Sequence, residues 1–100
     1  MRVIFTKVAE RTYNDVLRFL SATWTQKEIN VFVRDTESIV NQLISGKYFM
    51  FQESIMSTRS ALIGKKHVRM YFRKDNENQI KVLLFFDVRQ NPEKIIDLLK

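Results

Sequence analysis

Residues 80–86, Ile-Lys-Val-Leu-Leu-Phe-Phe, constrain the fold more than any other stretch. The run is β-branched and aromatic with a single charge, Lys81, which is the composition of a strand. Successive strand side chains point to opposite faces, so Ile80, Val82, Leu84 and Phe86 share one side and Leu83 and Phe85 the other. A strand that is apolar on both sides belongs in the interior of its sheet. Its far end turns polar: Asp87 and Arg89 continue the Leu83/Phe85 side, and Gln90-Asn91-Pro92 stops the run.

The preceding chain reads as material to cover that strand. Met1 to Thr6 is a short β-branched and aromatic segment, expected to be a first strand, and Thr6 is placed to cap a following helix. Val8, Ala9, Tyr13, Val16, Leu17 and Leu20 recur at helical spacing among charged residues, giving an amphipathic helix over residues 7–21. Thr25-Gln26-Lys27-Glu28 is a capping box, with Trp24 and Ile29 placed as a hydrophobic staple. The second apolar stripe runs Ile29, Phe32, Val33, Ile39, Val40, Leu43 and Ile44, and Gly46 is suited to end it. Few residues join the two helices, so an antiparallel helical hairpin follows.

Lys47 to Glu53 is expected to lay Tyr48, Phe49 and Phe51 over the end of the core. Residues 55–63 read as a strand, Gly64-Lys65-Lys66 as a turn, residues 67–74 as a strand and Asp75-Asn76-Glu77-Asn78 as a hairpin loop. After Pro92 a short helix closes the chain. The fold class is therefore α+β: strand, two-helix antiparallel hairpin, three-stranded antiparallel meander and short C-terminal helix, in a single domain over residues 1–100. With the helices packed on one sheet face, Val68, Met70 and Phe72 and the Ile80/Val82/Leu84/Phe86 set should lie beneath them. His67, Arg69, Tyr71, Arg73, Leu83, Phe85 and Arg89 should then share the uncovered face.

Charge sharpens that expectation. The net charge is +6, and its whole excess lies between Ser54 and Lys74, where there is no Asp or Glu and there are six cations: Arg59, Lys65, Lys66, Arg69, Arg73 and Lys74. A localised basic surface suits an anionic partner, either nucleic acid or an acidic protein segment. With one histidine and no cysteine, the usual zinc constellations are excluded. No glycine-rich phosphate loop is present, and Glu53 and Asp87 are not paired in any evident way, so neither metal nor cofactor is expected. No apolar run approaches the length of a membrane span, and the start of the chain lacks a signal-peptide layout. The chemistry left open is metal-free RNA cleavage, with Arg69, Arg73, Arg89, Lys65 and Lys66 stabilising phosphate charge and His67 or Tyr71 moving protons.

The order of elements and several runs resemble the RelE/ParE superfamily of toxins from bacterial type II toxin–antitoxin modules. The runs are Val-Ile-Phe-Thr-Lys-Val-Ala-Glu at residues 3–10, Phe19-Leu20, Trp24, Lys66-His67-Val68-Arg69-Met70-Tyr71, and Leu84 to Pro92 with its Asp-x-Arg-x-x-Pro ending. The resemblance implies a cytoplasmic toxin neutralised by a cognate acidic antitoxin that wraps apolar grooves and masks basic residues. RelE-like members cut messenger RNA on the ribosome with sheet arginines, here matched by Arg69 and Arg89, and usually a Tyr or His near the C-terminus. No Tyr or His follows Arg89, so His67 and Tyr71 would have to substitute. That departure favours the ParE-like branch, whose target is DNA gyrase, over the ribosome-dependent endoribonuclease; a non-toxic relative that keeps antitoxin binding is the third reading.

Overall fold

The computed structural model describes residues 1–64 and 67–99. Its elements are β1 (Arg2–Phe5), α1 (Lys7–Thr23), α2 (Gln26–Ile44), β2 (Gln52–Glu53), β3 (Arg59–Ile63), β4 (Val68–Asn76), β5 (Gln79–Asp87) and α3 (Glu93–Leu99). One five-stranded sheet has the order β1-β5-β4-β3-β2. The late strands form the expected antiparallel meander, while β1 runs parallel to β5 and pairs Arg2–Phe5 with Gln79–Val82. So β5 is an interior strand, as its two-sided apolar character requires.

Local signals set the helix ends. Thr6 caps α1 by accepting from the Ala9 amide. Thr25 and Glu28 form the reciprocal capping box of α2, and Gly46, at φ +85°, follows its last turn in the left-handed region that glycine adopts without strain. Phe32, Thr36, Ile39 and Leu43 of α2 are buried; Trp24 and Ile29 pack at the margin of the same core. Tyr48 lies in a 3₁₀ turn, Tyr48–Met50, and with Phe51 meets Phe72 edge-on. The strand expected to start at Ile55 begins only at Arg59: Met56 and Ser57 have left-handed φ, which breaks extension, and Ile55–Ser57 forms a second 3₁₀ turn. The short edge strand β2 has no counterpart in the sequence reading.

The main correction concerns the faces of β5. Tyr71 stands opposite Leu84, but the next residue, Phe72, stands opposite Val82, so Leu83 is an extra residue in β5 and the alternation shifts there. Before the shift, Ile80 and Val82 face the two-helix layer; after it, Phe85 does, packing on Tyr13, Phe32 and Phe5. Leu84 and Phe86, expected beneath the helices, turn to the opposite face and pack with Tyr71 and Ile95. Thus α1 and α2 cover one face as expected, and α3 lies against the other. The irregular backbone is satisfied by α1. The Thr6 hydroxyl donates to the Leu83 carbonyl at 3.1 Å, and the Thr12 hydroxyl accepts from the Phe85 amide at 3.0 Å.

Candidate functional site

Three groups of residues carry the chemistry expected of this chain, and the fold separates them. The first lies on the α3 side of the sheet. Arg69 and Tyr71 project there from β4, because Val68, Met70 and Phe72 occupy the other side. Arg69 donates to the Ser60 hydroxyl of β3 at 3.0 Å. Tyr71 is only 5% exposed, enclosed with Leu84, Phe86 and Ile95, so it does not stand on an open surface as expected. Arg73 donates to the Met56 carbonyl at 2.7 Å, and its buried Nε has no partner among the described residues.

The second group lies on the two-helix side. Arg59 stands opposite Phe72 and so shares its face. Its guanidinium donates to the Phe51 carbonyl at 2.7 Å and to Glu53, and sits 5.1 Å from the Phe49 ring and 5.3 Å from that of Tyr48. Lys74 lies 5.2 Å from the same Phe49 ring. Phe49, 68% exposed, therefore carries a cation on each of two approaches. The basic stretch consequently does not form one surface: sheet alternation sends Arg59 and Lys74 to one side and Arg69 and Arg73 to the other. Lys65 and Lys66 lie outside the described residues.

The third group surrounds a cleft of 360 Å³ between α1, the end of β5 and α3. Leu20, Val68, Phe85 and Phe86 give it an apolar floor, and Arg11, His67, Asp87, Arg89 and Lys94 lie around it. Arg89, expected to look out beside Arg69 and Tyr71, is turned to Asp87 instead. Its Nε donates to Oδ1 at 3.0 Å and its Nη2 to Oδ2 at 2.6 Å, while its backbone amide also donates to Oδ1 at 2.9 Å. These bonds from Arg89 hold the Asp87 carboxyl below its ordinary range, against the opposing push of partial burial; the His67 imidazole adds a weaker pull the same way. The same contact holds the Arg89 guanidinium more firmly protonated. His67 thus lines the same cleft as Arg89.

The sequence reading missed Arg11, Thr12, Phe19 and Lys94 as cleft residues. Phe19 offered a signal, being a large apolar residue beside the helical stripe, and it is exposed at the cleft. Arg11 and Lys94 look like ordinary helix-surface cations until the fold sets α1 and α3 on either side of β5. Among the described residues no group of three or more His, Cys, Asp or Glu is placed to hold a metal ion. No described helix is long and apolar enough to cross a membrane.

The arrangement of elements has a solved counterpart. The fold is that of a ParDE toxin–antitoxin chain. A chain of the chromosomal ParDE TA system from P. aeruginosa superposes with a TM-score of 0.71, covering 88% of this chain and 96% of that one at 14% identity. No protein-family model matches the sequence, and no curated protein matches it. Likeness to the ParDE chain at this identity concerns the fold, with its parallel first strand, helical hairpin and meander.

Proposed function

We propose that the protein is the toxin of a type II toxin–antitoxin module, acting in the cytoplasm on DNA gyrase and neutralised by an acidic antitoxin. The observation that carries the reading is the fold shared with the ParDE chain over nearly its whole length. The dispersal of the proton-moving and charge-stabilising groups supports gyrase over messenger RNA as the target. Metal-free phosphodiester cleavage needs an acid–base group and a free cation within reach of one phosphate. Of the residues expected to act together, Tyr71 is enclosed under α3 and the charge of Arg89 is met by Asp87. His67 lies in the cleft, where the cations beside it are Arg11 and Lys94 and not the expected sheet arginines Arg69 and Arg73. Residues 90–100 contain neither Tyr nor His.

One observation favours a second reading as a ribosome-dependent endoribonuclease: Arg69 bonds to a neutral hydroxyl and keeps its charge available. Induced expression without any antitoxin separates the readings. Growth arrest, inhibition of supercoiling by purified gyrase and intact messages are expected. Ribosome-dependent message cleavage that falls with Arg69→Ala would transfer the assignment to the nuclease, and unimpaired growth would remove both.

A further inference from the structure

Aromatic rings are concentrated in the cleft between α1, the end of β5 and α3. Phe85 and Phe86 are nearly buried in its floor, while Phe19, Trp24 and His67 line it with exposed or half-buried rings. Phe19 is 51% exposed, so much of its apolar surface stays in water after folding and is open to a ligand. The cleft volume, 360 Å³, lies within the range of roughly 300–1,000 Å³ typical of small-molecule sites. Rings around a space of this size favour a flat ring beside them, through apolar burial and stacking.

Charge sets the rest of the ligand. The two carboxylates at the cleft are already met: Asp15 is paired with Arg18, and Asp87 with Arg89. Arg11 on the α1 wall and Lys94 on the α3 wall are exposed and have no carboxylate at ion-pair distance among the described residues. The groove between α1 and α2 gives the contrast. Phe5, Tyr13 and Val40 make it apolar as well, but the charged residue lining it is Glu37. An anion with an apolar body is therefore drawn to the cleft and repelled from the groove.

We infer that the cleft is a binding site for a small aromatic carboxylate. The ring system rests on Phe85 and Phe86 beside Phe19 and Trp24, and the carboxylate meets Arg11 or Lys94. Ring burial supplies affinity, and the two unpaired cations select the charge. The site is independent of the toxin reading and stands or falls by its own test.

The test uses the whole protein, amide NMR and naphthylacetate as the probe. Trp24 carries the only indole N–H in the chain, which gives the cleft a signal of its own. Naphthylacetate is expected to shift that signal and the amides of Phe85 to Asp87, and to saturate in the millimolar range. Naphthylacetamide, the same ring without the charge, should bind roughly 5-fold more weakly at low salt, with the gap closing at high salt. Acetate, the charge without the ring, should bind at least about 10-fold more weakly. Arg11→Gln with Lys94→Gln should bring naphthylacetate down to the level of naphthylacetamide and leave naphthylacetamide itself unchanged. Phe19→Ala, at an exposed position, should weaken both ring compounds about 5-fold. Equal binding of the acid and the amide, shifts at Tyr13 and Glu37 as large as those at Trp24, or no binding at millimolar probe overturns the site. Tighter binding of adenosine monophosphate, or equal binding of the cation naphthylmethylamine, overturns the ligand class. None of these overturning results depends on a variant folding.

Discussion

Replacing Thr12 by valine tests the link between α1 and the shifted register of β5. The hydroxyl of Thr12 accepts from the Phe85 amide at 3.0 Å and donates to the Val8 carbonyl at 2.7 Å. Valine keeps the shape and removes both bonds. The Val8 carbonyl remains inside the helical ladder, so its loss is small. The Phe85 amide is left without a partner beside a side chain that is 2% exposed. An unsatisfied buried amide costs about 1–3 kcal/mol. Because the adjoining cleft is open to solvent, the lower half of that range applies, about 1–2 kcal/mol. For a chain of this size that is a fall in melting temperature of roughly 5–12 °C. Denaturant unfolding should show an earlier midpoint at unchanged slope, with faster hydrogen exchange at the Phe85 amide. Thr12→Ser should recover most of the loss. A change below about 0.5 kcal/mol with Phe85 exchange unaltered would refute the role given to Thr12.

Two further outcomes follow from side-chain contacts at the helix start and the cleft. Thr25→Ala removes the acceptor for the Glu28 amide and should cost about 1 kcal/mol in chemical unfolding, with Thr25→Ser near the parent value. Asp87 has its carboxyl pKa lowered in the folded state. Its stabilisation is therefore complete above the unfolded carboxyl value of about 4 and is lost as pH falls through the lower folded value. Asp87→Asn should accordingly lose less stability than the parent between about pH 5 and pH 2, measured by thermal unfolding across that window; equal losses would remove the Arg89 contact as the cause.

Most elements could be read from the sequence because their signals are local: the Thr6 cap, the Thr25–Glu28 box, the hairpin loop and Pro92 each act within a few residues. The face assignment of β4 also succeeds for Val68, Met70 and Phe72, since charged residues alternate with them. On β5 the same method fails at Leu83. Leu83, Leu84, Phe85 and Phe86 are all apolar, so a one-residue shift leaves each face as apolar as before, and the pattern holds no information about the shift. The shifted backbone is met by hydroxyls on Thr6 and Thr12, more than seventy residues away in the chain. The candidate site follows the same division. Asp87 and Arg89 are near neighbours whose pairing is local, whereas Arg11 and Lys94 come to one cleft only through the packing of α1 and α3 on either side of β5.

The split of the basic stretch has a measurable consequence for any nucleic-acid contact. A cation that neutralises a phosphate adds about one unit to the slope of log affinity against log salt. Were the stretch from Ser54 to Lys74 a single binding surface, each of its cations would contribute to one slope. Alternation in β4 forbids this for Arg69 and Lys74: the first stands with Tyr71 toward α3, and the second lies over Phe49 on the side of α1 and α2. A flat or single-stranded polyanion bound to one face leaves the other face in solvent. With one oligonucleotide, either Arg69→Met or Lys74→Met should lower the slope by about one unit, and the other substitution should leave it unchanged. Both substitutions lowering the slope on the same oligonucleotide would mean that the ligand wraps the sheet edge or that the two residues share a surface, and the two-faced distribution of charge would fall.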